Sequence, residues 1–201
     1  MEIFKYTTEE LEILKGKDKK LKEYIEKVGM IERKINSNLF EELIGSIVSQ
    51  QISTKAAETV SKRLIDLVGL VTPENILNTD KELLRKCGMS ERKVSYIFDA
   101  ANKFYTKELD VDSLKHLSDD EFIKKITIIK GVGIWTAEML LIFSLNRKNI
   151  LSFNDYGIKK GLKILYNLDE VTRDNFEYYK NLYSPFSSIA SLYLWDIASK
   201  N

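Results

Sequence analysis

The segment that decides the fold of this chain reads Ile129-Lys130-Gly131-Val132-Gly133-Ile134-Trp135-Thr136-Ala137. Apolar residues at helical spacing precede it, up to Ile126, and continue after it through Leu140. Two glycines therefore stand where two helices meet. Glycine permits a tight turn and a close backbone approach, and the first amides of a helix lack intrahelical partners, so they can bind an anion such as a phosphate. Taken alone, the two glycines favour a plain helix–helix turn with a glycine cap. Other features of the sequence have to decide between that turn and a phosphate-binding one.

Helical spacing of apolar residues recurs along the rest of the chain, and no run alternates with the period of a strand. We therefore predict an all-α fold of many short helices. Several helix starts are marked by capping signals: capping boxes at Thr79 with Glu82 and at Ser118 with Glu121, a cap followed by proline at Thr72-Pro73 and at Ser184-Pro185, and a start near Ser90 after a glycine cap at Gly88.

The composition limits the kind of protein without naming its partner. The chain has 201 residues, of which 44% are hydrophobic, and its 31 Lys and Arg nearly cancel its 30 Asp and Glu. Cys87 is the single cysteine, which excludes an intramolecular disulfide and a four-cysteine iron–sulfur cluster. The chain shows neither a signal-peptide core nor the roughly 20 apolar residues of a membrane span. We expect a cytoplasmic protein.

Positive charge is concentrated around the glycine segment. Between Phe122 and Leu165 the only acidic residues are Glu138 and Asp155. A basic surface would bind phosphates without reading sequence, although a solvated helix face is the usual fate of such a run. The basic residues of this stretch are Lys124, Lys125, Lys130, Arg147, Lys148, Lys159, Lys160 and Lys163.

Asp155 stands at the predicted start of a helix, in the sequence Leu151-Ser152-Phe153-Asn154-Asp155-Tyr156-Gly157-Ile158. An acidic residue at this position can cap the helix and interact with its dipole, and position alone favours that structural interpretation. A catalytic carboxylate is the alternative.

Five motifs occur in an order that resembles the helix-hairpin-helix DNA glycosylases, and within them the bacterial DNA-3-methyladenine glycosylase II family. They span Phe40 to Trp195. They are Ser49-Gln50-Gln51-Ile52-Ser53, Gly88-Met89-Ser90-x-x-Lys93, the hairpin from Lys130 to Met139, the loop ending in Asp155, and Pro185-Phe186-Ser187-Ser188-x-Ala190-x-x-Tyr193-Leu194-Trp195.

The resemblance implies an all-α, two-lobed helix-hairpin-helix glycosylase fold with a DNA cleft between the lobes. Residues 1–38 are then lead-in helices packing on the core, and residues 39–201 form the glycosylase domain. It also implies that Asp155 is the catalytic carboxylate, while Asn154 replaces the first acid of the family's paired-acid loop. An alkylated purine is a good leaving group, so the reaction needs a negative charge near the developing sugar cation more than a strong general acid.

Trp135 stands where members that also cut the strand present a lysine amine, so the resemblance implies hydrolysis of the glycosidic bond alone. It places Trp135, Met139, Trp195 and Tyr156 around the flipped base, where aromatic faces attract a cationic alkylated base. Core packing is the alternative role for the two tryptophans.

The resemblance further assigns a wedge to Gln51, which would fill the gap left by the flipped nucleotide. No cofactor is required, and a monovalent cation bound by the backbone carbonyls of Thr127, Ile129 and Val132 is a structural possibility in this family. The residues expected to contact DNA are Gln50, Gln51, Gly131, Gly133, Ile134, Thr136 and Ser188.

The resulting hypothesis is a monofunctional DNA glycosylase that excises alkylated bases of the 3-methyladenine and 7-methylguanine type during base excision repair. Its partner would be double-stranded DNA containing a damaged base, and we expect a monomer in the cytoplasm, associated with the nucleoid. Two alternatives remain: a glycosylase for mismatched or oxidised bases, and a helix-hairpin-helix DNA-binding module without catalysis. The second predicts that Asp155 is dispensable or buried in a salt bridge.

Overall fold

The structure is a computed structural model that describes residues 2–200, and helices dominate it. Within these residues there are thirteen helices and one sheet of two short strands, which confirms the predicted all-α class. Strands β1 (Glu2–Ile3) and β2 (Lys34–Ile35) pair antiparallel, with Glu2 opposite Ile35. No helix in the described part of the chain is long and apolar enough to cross a lipid bilayer.

The helices are short, as the dense capping signals predict. Their bounds are α1 Thr8–Lys17, α2 Lys19–Val28, α3 Leu39–Ser49, α4 Thr54–Val68, α5 Pro73–Leu77, α6 Lys81–Lys86, α7 Glu91–Tyr105, α8 Val111–His116, α9 Asp119–Ile126, α10 Ile134–Phe143, α11 Tyr156–Tyr166, α12 Arg173–Tyr183 and α13 Ser187–Lys200.

Most capping predictions are confirmed. Ser118 and Glu121 form a capping box at the start of α9. The Thr72 side chain caps α5, with Pro73 at its first position. Gly88 adopts a left-handed φ of 107° after α6, and Ser90 caps α7. Each of these capping signals depends only on residues close together in the chain, so the sequence alone predicts them.

Two predicted helix starts are wrong. Asp80 rather than Thr79 caps α6, because the Thr79 hydroxyl donates instead to the carbonyl of Asn75 at 2.7 Å. Ser184 and Pro185 lie in the turn between α12 and α13, and α13 begins only at Ser187. The amide of Phe186 bonds back to Tyr183, so the chain makes a further turn before the helix starts.

The chain forms two compact units, which differ from the predicted domains at 1–38 and 39–201. Unit 1 contains the residues up to Ile35 together with those from Leu141 onward, and unit 2 is Asn36–Leu140. The N-terminal helices join unit 1 through specific contacts. The Tyr24 hydroxyl donates to Asp196 at 2.8 Å, and the Tyr193 hydroxyl donates to the carbonyl of Gly29 at 2.9 Å.

Unit 1 is built around the contact between α11 and α13. Gly161 on α11 lies so close to α13 that a Cβ atom there would stand 2.3 Å from the carbonyl oxygen of Leu194. Leu162 and Tyr193 are completely buried beside this contact. The absence of a side chain at Gly161 therefore sets how closely the two helices approach.

Unit 2 is built around α7. Helices α3, α5 and α6 pack against it, and α4 packs against α3 and α6. Phe40 of α3 meets Phe104 of α7 edge to face, with ring centroids 5.3 Å apart. Leu43, Ile47 and Ile97 are fully buried in this core, as their helical spacing predicts.

The packing at Gly161 generates a matched pair of substitutions. Gly161→Ala should lower the free energy of unfolding by about 1–3 kcal/mol, because the new methyl group overlaps a backbone atom that cannot move aside alone. Gly45→Ala in the exposed middle of α3 is the control, since a Cβ atom added there would meet no atom of another element within 4 Å. It should stabilise the protein by up to about 1 kcal/mol through helix propensity. Urea unfolding of both variants measures the difference, and equal stabilities would contradict the packing argument.

Candidate functional site

Asp155 caps the N-terminus of α11. Its Oδ1 accepts the backbone N–H of Ile158 at 2.8 Å and the indole N–H of Trp195 at 2.9 Å, and only 8% of the residue is exposed. The structural interpretation as a helix cap is therefore confirmed. That role is compatible with catalysis, because the helix terminus and the indole both hold a carboxylate in one orientation.

Trp195 lies directly against the capping turn. A Cβ atom on Gly157 would stand 2.7 Å from the Trp195 Cδ1 atom, so only glycine leaves room for the indole. The ring also packs on Phe143, with centroids 5.5 Å apart. The sequence motifs predict a place for Trp195 in a base pocket but not its hydrogen bond to Asp155. The one available signal was Gly157, which follows Asp155 by two residues.

Tyr156 and Phe153 flank Asp155 in the chain but differ in exposure. Tyr156 is 81% exposed. Phe153 packs edge to face on Phe176 and carries two cations on its ring, the Lys159 ammonium at 3.8 Å and the Arg173 guanidinium at 4.0 Å from the centroid. Both cations therefore lie beside Phe153 in the loop before α11, and they add positive charge there.

The predicted basic stretch is only partly a free surface. Lys148 forms an ion pair with Glu10, and Lys160 donates to the carbonyl of Ala198 at 2.9 Å. Burial would raise the pKa of Glu10, but hydrogen bonds from Lys148 and Thr7 outweigh it and hold that pKa below its usual value. Lys148 and Lys160 therefore make contacts within unit 1, which the charge count along the sequence did not reveal.

The hairpin between α9 and α10 is a tight turn, as predicted. The amide of Ile129 bonds to Ile126 at 3.2 Å, and that of Val132 bonds to Ile129 at 3.1 Å. Gly131 adopts a left-handed φ of 77°, and a Cβ atom there would stand 2.1 Å from the ring of Tyr96. Gly131 is therefore fixed both by its backbone conformation and by the tyrosine that covers it.

Gly133 differs from Gly131, since its φ is ordinary and a Cβ atom added to it would meet nothing within 4 Å. The hydrogen-bonded ladder of α10 begins with Ala137 donating to Gly133 at 3.0 Å. Ile134 and Trp135 in the first turn are 53% and 42% exposed. An open glycine before an exposed helix N-terminus is the arrangement that admits an anion.

The turn between α3 and α4 contacts this hairpin. The Gln50 side-chain amide donates to the carbonyl of Gly131 at 2.9 Å. The next residue, Gln51, is exposed and has a left-handed φ of 57°. The two neighbouring glutamines thus differ: Gln50 connects the turn to the hairpin, and Gln51 is exposed at the surface.

Comparison with known proteins agrees with this geometry. Residues 44–184 match the HhH-GPD superfamily of base excision DNA repair proteins. The chain belongs to this superfamily. A DNA-3-methyladenine glycosidase from Bacillus halodurans has a structure that superposes with a TM-score of 0.87 at 36% identity, covering 98% of this chain and 93% of that one.

Two yeast comparisons point to the same superfamily. The 3-methyladenine DNA glycosylase of Schizosaccharomyces pombe, solved in complex with abasic DNA, superposes with a TM-score of 0.84 at 32% identity and covers 94% of this chain and 96% of that one. DNA-3-methyladenine glycosylase 1 from the same yeast is 35% identical over 78% of this chain and 71% of its own length.

Two predicted DNA contacts of this HhH-GPD protein need correction. Ser188 is completely buried, and its hydroxyl donates to the carbonyl of Arg147 at 2.7 Å and accepts the amide of Ile150 at 2.9 Å. It holds the loop before Asp155 against α13, so the prediction of DNA contact is wrong. Thr136 is 4% exposed, which leaves its side chain little surface for DNA.

The residues predicted to surround the base lie in both units. Trp135 and Met139 are one turn apart on α10 in unit 2, and Met139 is 7% exposed. Trp195 and Tyr156 belong to unit 1. The shared role of these four residues stays a prediction.

The predicted cation would be held by backbone oxygens rather than side chains. The carbonyl of Ile129 already accepts the amide of Val132, which leaves it one further lone pair, and together with Thr127 these residues would offer three neutral oxygens. Among residues 2–200 no group of three or more His, Cys, Asp or Glu could hold a metal ion. That finding concerns side chains, and the cation stays a prediction.

The two hairpin glycines allow the effect on folding to be tested apart from the predicted contact with DNA in this HhH-GPD protein. Gly131→Ala should cost about 2 kcal/mol or more of stability, because it strains a left-handed residue and collides with Tyr96. Gly133→Ala should change stability by less than about 0.5 kcal/mol yet weaken binding to duplex DNA at least about tenfold, since a methyl group would occupy the position predicted for a phosphate. Urea unfolding and fluorescence anisotropy measure the two effects. A Gly133→Ala protein that binds DNA normally would rule out backbone contact at this glycine.

Proposed function

We propose that this chain is a monofunctional DNA glycosylase that hydrolyses the N-glycosidic bond of alkylated bases, such as 3-methyladenine and 7-methylguanine, in duplex DNA. The single observation that carries the proposal is the Asp155 carboxylate, oriented by the N-terminus of α11 and the indole of Trp195. The likeness to named DNA-3-methyladenine glycosylases supports the choice of substrate.

The Asp155 carboxylate acts on the charge that develops at the sugar. Alkylation makes the purine cationic, so it departs as a neutral base with the electrons of the bond between C1′ and nitrogen. The C1′ atom becomes an oxocarbenium cation, which a nearby negative charge stabilises. Water then forms the new bond to C1′ and loses a proton, which leaves an abasic site. Because the hydrogen bonds to Oδ1 already orient the carboxylate, it does not have to reorient as the cation forms.

Strand cleavage is not part of the proposed reaction. A glycosylase that also cuts DNA needs an amine to form a Schiff base with the sugar, and Trp135 occupies the hairpin position where the family resemblance expects that lysine. An indole cannot form this intermediate. The expected product is therefore an intact strand that breaks only when alkali is added.

DNA binding is assigned to the surface of unit 2 that carries the hairpin. The open backbone at Gly133 and the first turn of α10 bind phosphates, which positions the duplex without reading its sequence. Exposed Gln51 acts as the wedge at the flipped nucleotide. The exposed aromatic faces of Trp135 and Tyr156 are available to stack on a cationic base.

Asp155→Asn tests the reaction while preserving the fold. The asparagine Oδ1 can still accept the hydrogen bonds from Ile158 and Trp195, so the variant should fold and bind DNA normally. Release of 3-methyladenine or 7-methylguanine from duplex DNA should fall at least about 100-fold because the negative charge is lost. Released base is measured by chromatography, and strand breaks are measured with and without alkali.

The control for this test is Asn154→Ala, which removes the exposed polar neighbour and leaves Asp155 intact. It should release bases at a rate close to that of the wild type. If the wild type releases no methylated base, the substrate assignment fails, and duplexes with mismatched or oxidised bases then distinguish a different glycosylase from a binding module without catalysis.

Trp195→Phe tests whether the indole positions the carboxylate. Phenylalanine keeps a ring against Phe143 but removes the N–H donor to Asp155. A hydrogen bond to a charged group contributes about 1.5–3 kcal/mol, so the single-turnover rate of base release should fall about 10- to 100-fold. The affinity for DNA containing an abasic-site analogue should stay unchanged. An unchanged rate would show that Asp155 does not depend on the indole.

A further inference from the structure

The turn that presents Gln51 is held in an unfavourable backbone conformation. Gln50 leaves the helical region at the end of α3, and Gln51 follows with a left-handed φ of 57°. For a residue other than glycine this conformation costs about 1–2 kcal/mol relative to the right-handed one. The conformation therefore persists only where surrounding contacts hold it. We define the α3–α4 turn as residues 50–53. Its neighbours must therefore supply the constraint.

One constraint acts on the end of α3. In a continuing helix the amide of Ile52 would bond to the carbonyl of Val48, but here it bonds to Ser49 at 3.5 Å. The Lys93 ammonium replaces the Ile52 amide as the donor to the Val48 carbonyl, at 2.7 Å. A cation at this position also interacts favourably with the negative end of the α3 dipole. Lys93 therefore ends α3 where the α3–α4 turn begins.

The backbone that carries Lys93 is itself fixed. Its amide donates to the side chain of Ser90, the cap of α7, at 3.3 Å. Gly88, which precedes this cap with a left-handed φ, lies against Val60 of α4, where an added Cβ would be 3.2 Å from a methyl carbon. Lys93 is half-buried, and this burial lowers the pKa of its ammonium below the usual value. The side chain thus connects α7 to α3 and is only partly exposed to water.

The second constraint is the hydrogen bond from Gln50 to Gly131. Between the α3–α4 turn, α7 and the hairpin lies a concavity of about 250 Å³, lined by Gln50, Gln51, Ser90, Arg92, Lys93, Tyr96 and Gly131. Gln51 is exposed, as are Ile52 and Ser53, and it is the residue of the turn with the left-handed backbone conformation.

We propose that Lys93 is a positioning residue, which through its hydrogen bond to Val48 holds the α3–α4 turn in the shape that presents Gln51 to duplex DNA. This inference rests on the proposed wedge role of Gln51. It assigns a function to the Gly88-Met89-Ser90-x-x-Lys93 motif that base excision by Asp155 does not explain. The alternative role for Lys93 is direct contact with a DNA phosphate, and the two roles differ in their dependence on salt.

The test compares Lys93→Met, which keeps the aliphatic chain, with Lys93→Arg, which can still donate to the carbonyl. The probe is a duplex with a tetrahydrofuran abasic-site analogue beside 2-aminopurine, whose fluorescence rises when a wedge unstacks it. At saturating protein, Lys93→Met should show at most about a third of the wild-type rise, and Lys93→Arg should recover most of it. The slope of log Kd against log salt concentration should be the same for all three proteins, because no phosphate contact is lost.

Arg92→Met is the matched control, since it removes an exposed positive charge from the neighbouring position. It should leave the fluorescence rise intact, and it shows how the salt slope responds when a surface charge is lost. If Lys93→Met keeps the full fluorescence rise, the positioning role is overturned. A salt slope reduced by about 1 in that variant would then identify a phosphate contact instead.

Urea unfolding shows whether Lys93→Met folds. Lys93→Gln, whose shorter side chain cannot reach the same carbonyl, replaces it if it does not, and should show the same loss of fluorescence. Gln51→Ala should lose the rise in every background. If the wild type gives no rise, or Gln51→Ala keeps it, Gln51 is no wedge and the positioning proposal is overturned. Base release by the wild type is measured separately, so failure of the glycosylase assignment is distinguished from failure of the Lys93 proposal.

Discussion

The close packing of α11 against α13 is the constraint on which the candidate catalytic group depends. Gly157 and Gly161 lie one turn apart on the same face of α11, and both lack room for a Cβ atom. Gly161 brings the backbone of α13 into contact at Leu194, and Gly157 admits the side chain of the next residue, Trp195. The indole N–H thereby reaches Asp155 at the start of the helix. Two glycines thus place a hydrogen-bond donor on a carboxylate.

The same helix contact makes the capping residue Asp155 suited to the proposed catalysis. A helix cap is ordinarily oriented by one or two backbone amides. Asp155 has in addition the indole of Trp195, and it is nearly buried, so its charge is screened less by water than that of a surface aspartate. Burial of a negative charge is costly unless hydrogen bonds compensate for it. The helix N-terminus and the indole provide that compensation.

In unit 2, backbone carbonyls accept hydrogen bonds from side chains of other elements. The carbonyls of Val48 and Gly131 each receive a side-chain donor, from Lys93 and Gln50 respectively. Both acceptors lie where a helix ends or a hairpin turns, so their usual partners along the chain are missing. Long polar side chains can bridge such positions across elements that are distant in sequence. The two hydrogen bonds connect α3 to α7 and the α3–α4 turn to the hairpin, next to the exposed Gln51.

The amino-acid sequence by itself determined the all-α class, most helix starts, the glycine hairpin and the place of Asp155 at the head of a helix. These features depend on residues within one or two turns of each other, and their signals are local. Only the tertiary structure decided that Ser188 is buried beneath the loop before Asp155, that Trp195 donates to Asp155, and that Lys93 ends α3. Each of these contacts joins residues about 40 positions apart. Sequence spacing carries no information about such pairs, because their distance is set by how whole helices pack.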